Sequence, residues 1–208
     1  MKLKRILFSL VVLTFGVLLA ASAFADVFVD FGTGTGGTGG SMTYLGGGQY
    51  AGSGIVIDDL LVTGAPFGNG NYNPLTGTAS GGTASLSFNT STGAFSIVGG
   101  VPGLGIPSGT TLLWGGILSF TPSYYDHTLS IYFTGWDFKA ESLMADIGMP
   151  TYGWIFSGTI SGVGGHSPYL AISTDITDYH PSIPEPASLL LLGSGLLGLC
   201  AFRRFKKA

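Results

Sequence analysis

The stretch Thr83-Ala-Ser-Leu-Ser-Phe-Asn89, continued by Thr90-Ser-Thr-Gly93 and Ala94-Phe-Ser-Ile-Val98, decides the fold of this chain. Its first part alternates polar side chains with Ala84, Leu86 and Phe88, and a period of two places these apolar side chains on one face of a strand. The middle part has the composition of a turn, and the last part returns as a second strand. The stretch therefore predicts an antiparallel hairpin with one buried face.

Segments of the same kind recur along the chain and predict further strands at 27–31, 55–62, 111–120, 128–138, 151–161 and 169–176. In one of them Leu129, Ile131 and Phe133 share a face. Only 140–147 has helical character, and Gly-rich turns separate the strands. About seven to nine short strands with such turns predict an all-β fold, an antiparallel β-sandwich of jelly-roll type, over residues 26–177.

Charge and cysteine usage exclude several classes of protein. Charged residues make up 9% of the chain, against about 25% in an average protein. Between residues 26 and 183 the acids outnumber the single basic side chain, Lys139, so the body has no basic patch with which to bind nucleic acid. The only cysteine is Cys200, so the body has neither a disulfide nor a Cys-based zinc site or nucleophile.

The first 25 residues have the composition of a secretory signal peptide. Lys2, Lys4 and Arg5 form a charged start, residues 6–20 are apolar, and Ala23 and Ala25 frame an A-x-A cleavage site for signal peptidase. The alternative is an N-terminal anchor that is not cleaved. In both cases the body leaves the cytoplasm.

The other end of the chain combines a tether, a membrane segment and a basic end. Residues 178–186 predict an extended tether that finishes in Pro184-Glu185-Pro186, since proline fixes φ and has no N–H donor. Residues 187–208 predict a single transmembrane helix with a basic cytoplasmic end, formed by Arg203, Arg204, Lys206 and Lys207. An ordinary C-terminal anchor is the alternative interpretation.

The order of Pro184-Glu185-Pro186, a short apolar segment and a terminal Arg/Lys cluster resembles the PEP-CTERM sorting signal of Gram-negative bacteria. The resemblance implies that an exosortase, a membrane-embedded cysteine transpeptidase, recognises and processes the tail. It further implies an intermediate tethered to the inner membrane and facing the periplasm, and delivery to the outer surface or extracellular matrix. Proteins of this kind are commonly associated with exopolysaccharide and biofilm formation.

Two patterns match the sequence of a nucleotide-binding or catalytic motif without its expected structural context. Residues 32–37 satisfy G-x-G-x-x-G, but no helix is predicted behind them to hold a phosphate, so a loop is expected. The histidines are His127, His166 and His180, and Asp126 precedes the first of them. A secreted hydrolase with a site built from these distant residues is the alternative to a protein without enzymatic activity.

Acidic side chains raise the question of calcium, because its ligands are oxygen atoms and β-sandwiches often bind it at their loops. The possible ligands are Asp58, Asp59, Asp126, Asp175 and Asp178. None has the spacing of a calcium-binding loop, so the sequence predicts no cofactor and treats these acids as solvated surface groups.

The tryptophans Trp114, Trp136 and Trp154 each lie in a predicted strand beside a glycine. Such residues usually belong to the core, and the alternative is stacking against a sugar ring on a shared exposed surface. The sequence therefore predicts an exported, non-enzymatic cell-surface or matrix protein associated with exopolysaccharide. The alternative is a secreted hydrolase or a Ca-dependent carbohydrate-binding protein.

Overall fold

The computed structural model describes residues 26–34 and 38–180, which form eleven β-strands, one short α-helix and two 3-10 helices, Ser80–Gly82 and Pro102–Leu104. The elements are β1 Val27–Gly32, β2 Ser41–Gly46, β3 Gln49–Ile57, β4 Asp59–Thr63, β5 Gly70–Asn71, β6 Ala84–Asn89, β7 Ala94–Val101, β8 Ile106–Tyr125, β9 Thr128–Lys139, α1 Glu141–Ile147, β10 Trp154–Val163 and β11 Tyr169–His180.

All pairings between these strands are antiparallel, and the sheet closes on itself. The strands follow the order β10-β9-β8-β7-β6-β3-β2-β11, and β11 pairs again with β10 to complete an eight-stranded barrel. The second half of β11 carries a branch, since β1 pairs with residues 175–180 and β4 and β5 follow it. The prediction of an antiparallel all-β body is confirmed.

The predicted sandwich, in contrast, is not what the described strands form. A sandwich has two separate sheets, whereas here one sheet is continuous from β10 round to β11. Irregularities in register interrupt five of the pairings in the barrel, namely β2–β3, β3–β6, β7–β8, β8–β9 and β10–β11. Such bulges bend and twist a strand, and this bending lets a long sheet curl into a barrel. Alternation along a strand marks one buried face, but it does not distinguish a sandwich from a barrel.

The interior of the barrel is filled by apolar side chains from every long strand. Along β9 the buried residues alternate from Leu129 to Lys139. Phe88, Phe95, Phe133 and Phe156 form a chain of ring contacts, with the Phe95–Phe156 pair stacked at 4.6 Å. Helix α1 buries Leu143, Met144 and Ile147 in the same core, at the end where β9 finishes.

The predicted hairpin of β6 and β7 is confirmed. Phe88 lies opposite Phe95, and Ser87 lies opposite Ser96 on the outer face. The neighbouring hairpin of β2 and β3 was not predicted, because glycines at 46–48 gave the segment the composition of a loop. The last strand continues to His180, past the predicted end of the body at residue 177.

Several predictions fall on residues outside the described ranges, namely the signal peptide with Ala23 and Ala25, and the Pro-Glu-Pro segment and membrane helix after residue 180. Within 26–34 and 38–180, no helix combines the length and apolar character that spanning a membrane requires.

Candidate ligand-binding face

Large aromatic side chains lie on the outer face of β8 and β9. Trp114 is paired with Phe138 across the two strands, and their rings stack with centroids 4.5 Å apart. Trp136 meets the same Phe138 edge-on at 5.6 Å. The two indoles remain 50% and 42% exposed. We call this group, Trp114, Trp136 and Phe138, the aromatic face.

A glycine determines where the Trp136 ring lies. Gly116 is opposite Trp136 in the β8–β9 pairing, and a Cβ atom added there would come within 2.9 Å of the indole ring. The ring therefore lies over the bare backbone of β8 instead of projecting into solvent. Because Phe138 contacts both indoles, the three rings hold one another in a fixed arrangement.

Hydroxyl groups flank the aromatic face on the side of β6 and β7. Ser96 is opposite Trp114, and Ser87 is opposite Ser96, so these residues continue the same row across the sheet. Together with Asn89 they line a shallow groove beside Trp114. An apolar ring next to hydroxyl and amide groups matches the two kinds of surface that a sugar presents.

On the other side, apolar side chains continue the row across three more strands. Ile155 is opposite Trp136, Tyr179 is opposite Ile155, and Phe28 is opposite Tyr179. Each of the three is more than a third exposed. A contiguous exposed row of this kind is a common feature of interaction sites.

The three tryptophans therefore differ in burial, one lying in the core and two on the surface. Trp154 is 1% exposed and donates its indole N–H to the Pro150 carbonyl, as the core interpretation predicts. Trp114 and Trp136 lie outside, so the core interpretation is wrong for them. The sequence held a signal for this, because Trp136 has the opposite parity to Leu129, Ile131 and Phe133 along the same strand.

A second group of polar residues lies inside the barrel, and sequence reasoning missed it. Lys139 Nζ lies 2.6 Å from Oδ2 of Asp137 and 3.3 Å from Oδ1 of Asp178, and all three side chains are fully buried. The ammonium also lies 4.8 Å from the centroid of the Trp154 ring. We call Lys139, Asp137 and Asp178 the buried triad.

Burial raises the pKa of the Asp178 carboxyl well above its usual range. The Lys139 ammonium opposes this shift, and the nearby Asp137 carboxylate adds to it. This shift favours the neutral, protonated form of Asp178 beside the Lys139 ammonium and the Asp137 carboxylate. Two carboxylates so close together in an apolar core would repel each other strongly.

The possible calcium ligands do not come together as one site. Asp58 is buried and accepts a hydrogen bond from the Gly34 N–H, and Asp178 lies in the buried triad. Asp59 and Asp175 flank Gly32 on neighbouring strands, whereas Asp126 occupies the tip of the β8–β9 hairpin. Within the described ranges, no three His, Cys, Asp or Glu side chains are arranged to hold a metal ion.

The histidines are also separated. Asp126 and His127, with φ of 45° and 61°, form the two-residue turn between β8 and β9. This is the conformation of a tight hairpin turn, so the pair has a structural role. His166 lies in the loop after β10, and His180 packs against Trp154 at the opposite end of that strand. The structure thus brings no Asp126–His127–His180 group together.

The formal G-x-G-x-x-G stretch is followed by β2 and not by a helix, as predicted. Its residues 35–37 lie outside the described ranges. The arrangement offers no helix N-terminus to a phosphate, since such sites depend on the free N–H groups there.

Comparison with known proteins identifies the tail. Residues 182–204 match a family model described as the PEP-CTERM protein-sorting motif, which includes Pro184, Glu185, Pro186, Arg203 and Arg204. No curated protein and no solved structure matches the chain. The chain therefore carries a PEP-CTERM sorting motif, which implies export to the cell surface and sorting by exosortase.

Proposed function

We propose that this is a non-enzymatic protein of the cell surface or extracellular matrix, and that its body binds exopolysaccharide of the biofilm through the aromatic face. The observation that carries the proposal is the exposure of Trp114 and Trp136 side by side, held by Phe138 next to a groove with hydroxyl groups. Rigid aromatic side chains provide contact area at little cost in conformational entropy.

Charge narrows the class of polysaccharide. Lys139 is the only Lys or Arg between residues 26 and 180, and it is buried. The surface of the described ranges therefore presents carboxylates without any ammonium or guanidinium group. An acidic polymer would be repelled by such a surface, so the ligand class that fits is a neutral polysaccharide.

Binding of a neutral β-glucan and of a uronic-acid polymer to the full chain tests this proposal. We expect the neutral polymer to bind and Trp136→Ala to weaken its affinity at least tenfold, roughly 1.4 kcal/mol, as for an aromatic residue at the centre of an interface. Titration calorimetry measures the loss. Addition of a chelator should leave binding unchanged, since the proposed contacts are made by aromatic rings and hydroxyl groups and not through a metal ion.

Tyr125→Ala provides a matched control. Tyr125 is an 82% exposed aromatic residue at the far end of β8, the strand that carries Trp114, so its removal should leave the affinity unchanged. If both variants bound as well as the wild type, or if no neutral polysaccharide bound at all, the aromatic face would not be a glycan site.

Delivery would follow from the two ends of the chain. In this proposal signal peptidase cleaves after Ala25, residues 187–202 hold the chain in the inner membrane as a transmembrane helix, and exosortase then removes the tail. We expect secreted protein to lack Arg203–Lys207 in a host with exosortase, and mass spectrometry of the mature C-terminus measures this. A tail that is intact in secreted protein would contradict exosortase processing of this chain.

A further inference from the structure

The buried triad would be energetically unfavourable for folding if it were only a cluster of ions. Lys139 donates a hydrogen bond to Asp137 Oδ2, but Asp137 Oδ1 has no hydrogen-bond partner within the described ranges. Neither oxygen of Asp178 has one, because Lys139 Nζ is near Oδ1 without the geometry of a hydrogen bond. Removing charges and hydrogen-bonding oxygens from water without full compensation is costly.

We propose that Lys139 and Asp178 are joined by an intramolecular amide bond between Nζ and Cγ, formed inside the folded barrel with Asp137 as the proton acceptor. The 3.3 Å between Nζ and Asp178 Oδ1 places the amine against the carboxyl group that it would attack. Trp154 covers the amine and apolar core surrounds the triad, so bulk water is kept away.

The two aspartates have different roles because of their positions. Asp137 is two residues from Lys139 on β9 and makes the short hydrogen bond of 2.6 Å, which suits the transfer of a proton. Asp178 lies on β11, and β10 separates it from β9. A bond to Asp178 therefore connects distant parts of the chain, whereas a bond to Asp137 would only close a small ring within one strand.

The step balances without any other reactant. Lys139 transfers a proton to the Asp137 carboxylate and becomes a neutral amine. Its lone pair attacks Cγ of the Asp178 carboxylic acid, the C–OH bond of that acid breaks, and the hydroxyl leaves as water with a second proton from the nitrogen. Asp137 ends protonated beside a neutral amide. The raised pKa of Asp178 supports this, since attack needs the protonated acid.

The product removes the unfavourable features of the site. An amide carries no charge, so no ion remains in the apolar core. The bond also replaces a cross-link that the exported body cannot make, because Cys200 is the only cysteine of the chain and lies outside the body. Proteins outside the cell commonly depend on disulfides for this kind of restraint.

Trypsin provides the test, because Lys139 is the only tryptic site between Arg5 and Arg203. Trypsin requires a free lysine side chain, so the bond would block cleavage. We expect the full chain, denatured and digested, to keep residues 6–203 as one fragment that is one water molecule lighter than its sequence. A second protease should yield a branched peptide containing Lys139 and Asp178, which tandem mass spectrometry identifies.

Lys139→Arg is the matched control, since it keeps a cation and a tryptic site but has no primary amine to form the amide. This variant should be cut after residue 139 whether or not it folds, because the digestion uses denatured protein. Release of a wild-type peptide that begins at Ala140, with no loss of water, would overturn the proposal. A branch at Asp137 would overturn the assignment of Asp178 as the acceptor.

Discussion

Asp30 shows how a carboxylate on the outer face of a strand can oppose folding. It lies on β1, two residues before Gly32. Asp59 of β4 and Asp175 of β11 are paired with Gly32 on either side. Burial, and to a smaller extent the nearby carboxylates of Asp175 and Asp59, together raise the pKa of Asp30 to about 6. One oxygen of Asp30 has no hydrogen-bond partner within the described ranges. The side chain is thus unfavourable in its charged form.

Asp30→Asn should therefore stabilise the protein at pH 8. The pKa in the folded state lies above the value of 3.8 for a free side chain, so the stability contributed by the bound proton is present at low pH and is lost as the pH rises through about 6. Because Asp30 is only half-buried, solvent screening reduces the gain to about 1 kcal/mol. Urea denaturation at pH 4 and pH 8 measures it, and an equal gain at both values would contradict the prediction.

At the scale of the strand, sequence alternation predicted most of the strands. It also determined which side chains of the candidate site lie on the outer face of the barrel. The alternation of Leu129, Ile131 and Phe133 fixes the inner face of β9, and with it the outer position of Trp136 and the inner position of Asp137 and Lys139. The outer position of Trp136 was not predicted, because a Trp beside a Gly in a strand usually belongs to the core. Gly116 in fact makes room for an indole on the outer face.

Other elements could not be predicted from alternation. The β2–β3 hairpin turns at glycines with positive φ, Gly46, Gly47 and Gly48, and similar glycine runs elsewhere form loops. The end of β11 carries Asp178 and His180, which are polar residues typical of a tether. Asp178 is tolerated in the strand because the barrel supplies Lys139 to it, and this contact depends on tertiary structure.

At the scale of the whole molecule, closure of the sheet creates the buried triad. Asp178 lies opposite Phe156 of β10, and Phe156 lies opposite Gly135 of β9, so the triad exists only because β10 pairs on both sides. A sandwich predicted from the sequence gives no reason to place Lys139 next to Asp178. The same closure puts the only Lys or Arg of the described ranges inside and leaves the outside acidic.

Stability measurements on two variants separate the charges of the triad from the proposed bond. Lys139→Met prevents the amide from forming and leaves the Asp137 carboxylate buried with no cation beside it, which costs about 3 to 5 kcal/mol. It also removes the cross-link, whose loop of about 40 residues contributes roughly 4 kcal/mol in the chain-entropy model. The double variant Lys139→Met/Asp137→Asn removes the unpaired charge at nearly constant shape, so it should recover the first loss but not the second.

We therefore expect the free energy of unfolding at pH 7 to decrease from the wild type to the double variant and again to Lys139→Met. Urea denaturation measures the order, and the intact mass of each protein shows whether the water molecule lost on bond formation is missing. The informative quantity is the difference in free energy of unfolding between the wild type and the double variant. Because the double variant has no unpaired charge in the core, this difference reports the restraint that the bond places on the unfolded chain. A double variant as stable as the wild type would mean that the triad acts through its charges alone.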